Sequence, residues 1–94
     1  MEQQIKAVDF YGILKEANRE EKDITRVYHG KDHWCRCGCG GNYFDKGERG
    51  FTRAMNLMKK GYPKFSTSNV EAGPNYINIP DDGADNMCYC IYFD

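Results

Sequence analysis

The chain has 94 residues and a formal net charge of -1, with 40% hydrophobic and 14% aromatic residues against 29% charged ones. That length supports one modest core and a single domain over residues 1–94, and the aromatic content excludes a disordered chain. Near-neutral charge argues against a general nucleic-acid coat and equally against an acidic mimic of DNA.

No apolar run approaches the ~20 residues needed to cross a bilayer. The opening Met-Glu-Gln-Gln-Ile has neither the basic start nor the apolar core of a signal peptide. The expectation is a cytoplasmic protein with no membrane contact.

In chain order, Ala7, Phe10, Leu14 and Ala17, with Tyr11 and Ile13 beside them, form one apolar stripe at helical spacing and predict an amphipathic helix from about Gln3 to Arg19. The polar cluster after Asn18 ends it. Ile24 to His29 is rich in β-branched and aromatic residues and reads as a strand. Gly30-Lys31-Asp32 then supplies a turn before a second extended run, His33 to Cys39, and Gly40-Gly41-Asn42 supplies another.

Asp45 with Glu48 three residues on has the spacing of a capping box. Phe51, Ala54, Met55 and Met58 recur on a helical period up to Gly61, with Pro63 beyond, which predicts a second helix over about Lys46 to Lys60. Lys64 to Val70, Asn75 to Ile79 and Met87 to Phe93 read as three strands, divided by Glu71-Ala72-Gly73-Pro74 and Pro80-Asp81-Asp82-Gly83. Links this short favour antiparallel pairing. The predicted class is α+β: a small antiparallel sheet of four or five strands packed with two amphipathic helices.

Five cysteines are many for this length, yet their number is odd and no export signal accompanies them, so a complete disulfide framework is not expected. Cys35, Cys37 and Cys39 alternate, as do Cys88 and Cys90, so within strands each set points its sulfurs to one face. If those strands are neighbours, Cys35, Cys37, Cys88 and Cys90, aided by His29 or His33, form a candidate zinc site of the right ligand types. The C-x-x-C spacing of most structural zinc sites is absent. The reading preferred over zinc is that these are small buried core residues and the protein carries no cofactor. In that reading β-strand 87–93 is central, with Met87, Tyr89, Ile91 and Phe93 on one face and Cys88, Cys90 and Tyr92 on the other. A nucleophilic cysteine near His29, His33 or Arg36 is a third reading, without any phosphatase, thioredoxin or protease signature around it.

On the second helix Arg49, Arg53, Asn56 and Lys60 fall four, three and four apart and share the face opposite Phe51 and Met58, with Lys46 extending the row. A stripe of this kind suits phosphates or an acidic protein surface, and an ordinary solvated helix face has the same pattern. No aromatic residue interleaves with it, which makes single-stranded nucleic acid the secondary partner class. Asp81, Asp82 and Asp85 lack the spacing of a calcium loop. Trp34 belongs either to the core or to an exposed anchor.

In being short, single-domain, aromatic-rich and without a catalytic signature, the chain resembles the small phage- or mobile-element-encoded accessory proteins, among them the anti-CRISPR proteins. The resemblance is one of type, and no functional residue is carried over by it. It implies a non-catalytic inhibitor that occupies a surface on a host protein or nucleoprotein complex. Arg49, Arg53 and Lys60, together with Trp34 and Arg36, are the candidate contact residues, since Arg and Trp carry much of the energy of interfaces. The alternatives are a zinc-stabilised nucleic-acid-binding module and a thiol-based enzyme or redox sensor. Homo-oligomers through an open sheet edge complete the set.

Overall fold

The computed structural model describes residues 3–6, 9–31, 41–61, 70–80 and 87–93. In chain order the elements are β1 (Gln3–Ile5), α1 (Phe10–Glu16), a 3-10 turn (Glu21–Asp23), β2 (Ile24–Lys31), β3 (Gly41–Asp45), α2 (Arg49–Lys59), β4 (Val70–Ala72), β5 (Tyr76–Pro80) and β6 (Met87–Phe93). All strands join one antiparallel sheet in the order β1-β4-β5-β6-β2-β3. The fold is thus α+β, with two α-helices among the described residues. No helix among the described residues is long and apolar enough to cross a membrane.

The first helix is shorter than its apolar stripe suggests. Ile5 is buried because it lies opposite Val70 in the β1–β4 pair, so Gln3–Ile5 forms an edge strand that joins the expected strands. Asp9 starts α1 instead: its Oδ1 accepts the Gly12 N–H at 2.7 Å, which is N-capping geometry. Phe10, Ile13 and Leu14 then face the core. Asn18, at φ 57°, ends the helix, with its N–H on Lys15 O and the Arg19 N–H on Leu14 O. These are the two bonds of a Schellman motif, and Asn is among the few side chains that adopt this left-handed backbone at small cost.

The turn expected at Gly30-Lys31 is also overridden. β2 runs on to Lys31 because its ladder with β6 continues through Gly30↔Cys88 to Lys31↔Met87. Gly41 and Asn42, expected in a turn, are the strand residues opposite Gly30 and His29. The two facing glycines permit a close approach: a Cβ on Gly30 would lie 2.1 Å from Gly41 Cα and 2.9 Å from the Tyr28 hydroxyl. The run His33 to Cys39 lies outside the described residues.

Asp45 and Glu48 form half of the expected capping box. The Glu48 carboxylate accepts the Asp45 N–H at 2.6 Å, but the Asp45 carboxylate turns to Arg26, 2.8 Å away. The turn between them uses Gly47 at φ 100°, and α2 therefore begins at Arg49. Gly61, at φ 82°, closes it with its N–H on Met58 O. Of the strand expected over 64–70, Val70 alone falls among the described residues, and Glu71-Ala72 continue it as β4 because they pair with both β1 and β5. The turn follows at Gly73-Pro74, with the Gly73 N–H on Tyr76 O at 2.8 Å. β6 has the bounds read from its alternation and is central, between β5 and β2.

Both helices pack on one face of the sheet. There Phe10, Ile13 and Leu14 of α1 and Phe51, Ala54, Met55 and Met58 of α2 share a cluster with Val27, Ile77, Ile79, Tyr89, Ile91 and Phe93. The other face gathers Tyr28, Cys88 and Cys90, with Tyr76 and Tyr92 against them.

Candidate binding face and cleft

The 3.6-residue period of α2 sorts its side chains cleanly, with Phe51, Ala54, Met55 and Met58 buried and Arg49, Arg53, Asn56 and Lys60 exposed. Arg49, Thr52, Arg53, Asn56, Leu57 and Lys60 together border a shallow groove along the outer side of the helix. Lys46 does not extend this row. It precedes the helix, and its Nζ donates to Lys22 O at 3.0 Å.

The engagement of the cations sets this face apart. Arg26 bonds Asp45, whose hydrogen bond and charge raise the guanidinium's pKa. Lys22 pairs with Glu20 at 3.4 Å, and Lys59 pairs with Glu21, a contact that raises the Lys59 pKa and ties α2 to the 3-10 turn. Arg19 donates to Pro74 O and lies 4.7 Å from the Phe93 ring centre. Arg49, Arg53 and Lys60 form no ion pair with another described residue. Lys6 and Lys15 are likewise without one, but they stand on other parts of the chain.

Between α2 and the sheet lies a cleft of about 500 Å³, lined among the described residues by His29, Phe44, Arg49, Gly50, Arg53, Ala54, Leu57 and Tyr89. Register builds its floor: His29 of β2 is opposite Tyr89 of β6, and the two rings stack at 4.0 Å, only 9° from parallel. Gly50 lets the first turn of α2 settle on Phe44, since a Cβ there would meet that ring at 2.2 Å. The same Arg49 and Arg53 that lead the outer row also stand on the rim of this cleft, one helical turn apart.

The cysteines of β6 lie away from both. Cys88 and Cys90 are 1% and 2% exposed and share a face as their alternation requires. Burial is the main cause that pushes the Cys90 thiol up to about 12, against a hydrogen bond from Tyr92 that lowers it. That direction is opposite to the lowered pKa of an activated nucleophilic cysteine. Asn78, 4% exposed, sits opposite Cys90 in the ladder. Among the described residues no group of three or more His, Cys, Asp or Glu side chains is placed to hold a metal ion. Trp34, Arg36, Cys35, Cys37, His33 and the acidic turn at Asp81, Asp82 and Asp85 lie outside the described residues.

Sequence patterning found the arginines and missed the cleft. Parity alone puts His29 with Val27 and Tyr89 with Ile91 on the helix side, but their stacking depends on cross-strand register, which no local pattern encodes. No family model, curated protein or solved structure matches the chain.

Proposed function

We propose that this chain is a non-catalytic binding protein that presents the Arg49, Arg53 and Lys60 face of α2 to an acidic surface on a larger protein or nucleoprotein complex, and acts by occupying it. The supporting observation is the contrast among the cations. Arg19, Lys22, Arg26, Lys46 and Lys59 are held by intramolecular partners, whereas three cations in register along one helix are left without an ion pair among the described residues. Arg side chains on a regular helix face are well suited to two-pronged contacts with carboxylates or phosphates. The mode of action belongs with that of the small phage-type accessory proteins: stoichiometric inhibition without turnover, with Trp34 and Arg36 as further contacts.

The test is the double substitution Arg49→Glu and Arg53→Glu, compared with the native chain in quantitative capture from extracts of the cell of origin. Both positions are exposed, so the fold is expected to persist and the specific partner to be lost, with affinity falling at least a hundredfold. Equal recovery of the same partner by both proteins would remove this face from the interface. The salt dependence of the captured complex then separates the partner classes, because a phosphate backbone releases counterions and gives a steep slope.

A further inference from the structure

We propose that the cleft between α2 and the β2–β3–β6 end of the sheet is a separate ligand site, for a small aromatic compound carrying a phosphate group. Its volume of about 500 Å³ lies within the range of roughly 300–1,000 Å³ typical of small-molecule pockets. The chemistry of its walls divides in two. Phe44, Ala54 and Leu57 give an apolar side, and the half-buried His29 ring, backed by fully buried Tyr89, gives a flat one. A planar ring matches such a wall, because offset aromatic faces attract beyond simple area burial.

The rim supplies the opposite character. Arg49 and Arg53 both border the opening, and no carboxylate occurs among the described lining residues to neutralise their charge. Two guanidinium groups one helical turn apart can each offer paired N–H donors to the oxygens of one phosphate. The cleft also needs no rearrangement to exist, since Gly50 seats the helix against Phe44 and leaves the space beside Leu57 open. A ring on the floor and a phosphate at the rim are therefore satisfied together by one small molecule. A nucleoside monophosphate and a simple aryl phosphate share this chemistry.

This site uses Arg49 and Arg53 but does not rest on the proposed partner contact. The two are separated by His29→Ala, which removes the flat wall of the cleft and lies on β2, outside the basic face.

The experiment is a titration of the full chain, followed by amide and side-chain NMR, with phenyl phosphate, adenosine 5′-monophosphate and inorganic phosphate as separate probes. The expected result is saturable shifts at His29, Phe44 and Leu57 with one or both aromatic phosphates, at least tenfold tighter than inorganic phosphate. A tighter fit for the nucleotide identifies that source, and a tighter fit for phenyl phosphate identifies the simpler one. Arg53→Gln should weaken binding about tenfold, as the loss of one charged hydrogen-bond donor implies. His29→Ala should weaken it at least tenfold while retaining partner capture. Arg53 is exposed, and Arg53→Gln carries the test if the alanine disturbs the fold. No saturable shift up to about 10 mM, a concentration that fills a millimolar site, would overturn the proposal. Inorganic phosphate binding as tightly as the better aromatic probe, or unchanged binding by a folded His29→Ala chain, would do the same.

Discussion

On the helix side of β6, Tyr89, Ile91 and Phe93 join a cluster dominated by Ile, Val, Leu, Met and Phe side chains. One residue along, Cys88 and Cys90 meet Tyr28, Tyr76 and Tyr92 on the opposite face. Cys90 and Ile91 are buried almost equally, at 2% and 0% exposure. Their surroundings differ in kind. Aliphatic contacts on the first face are non-directional and carry the hydrophobic driving force. The second face is bridged by polar tips and rings: Tyr92 hydrogen-bonds Cys90, and the Tyr28 and Tyr43 rings lie 4.9 Å apart. Equal burial thus hides two materials, one sensitive to volume and the other to protonation.

Breaking the aliphatic face should have the largest effect. Ile91→Ala removes a fully buried branched side chain and is expected to cost about 2–5 kcal/mol in urea unfolding. Cys90→Ala, on the neighbouring residue, should cost only about 1 kcal/mol, because it deletes one atom of modest hydrophobic value. Equal losses would show that the two faces contribute alike.

The next effect sharpens the other side of the comparison. Gly30→Ala would push a methyl group into Gly41 and the Tyr28 hydroxyl, and overpacking of this kind costs about 1–3 kcal/mol. Because the crowding lies at the β2–β3 pair, hydrogen exchange should speed up in β3 before it does in β5. Uniform acceleration across the sheet would assign the glycine pair a different role.

The most selective effect is alkaline. Burial and the bond to Cys90 raise the Tyr92 pKa, and the Cys90 thiol moves from 9.0 to about 12. Groups with raised folded pKa values contribute stability that is complete below the unfolded value and is lost as pH climbs toward the folded one. Stability should therefore be insensitive to these groups below pH 9 and decline between about 9 and 12 as the unfolded chain loses protons that the folded one keeps. The Cys90→Ala chain should show a shallower decline. An identical slope in both proteins would place the titrating group elsewhere.

Legibility in the sequence followed the range of the forces involved. β6 was readable residue by residue, because its alternation encodes two faces wherever the strand lies. α2 was readable because Phe51, Ala54, Met55 and Met58 repeat on the helical period and Gly61 stops it. β1 was not. Three residues carry no usable period, and Ile5 is buried only through its distant partner Val70. The run of β2 past Gly30 failed for the same reason, since local turn chemistry lost to a ladder with β6. At the site, the exposed arginines followed from periodicity. The cleft, made by register and by the seating of α2 on Phe44, is non-local throughout.

The position of β6 has a consequence for how the molecule is made. Among the described residues it is the last strand in chain order, yet it alone bridges the ladder between β1-β4-β5 on one side and β2-β3 on the other. While β6 is still being synthesised, both half-sheets display an open edge where their neighbour will go. The protein therefore reaches its native ladder in a late, long-range closing step, which favours slow folding and makes the nascent chain vulnerable to strand addition from other molecules.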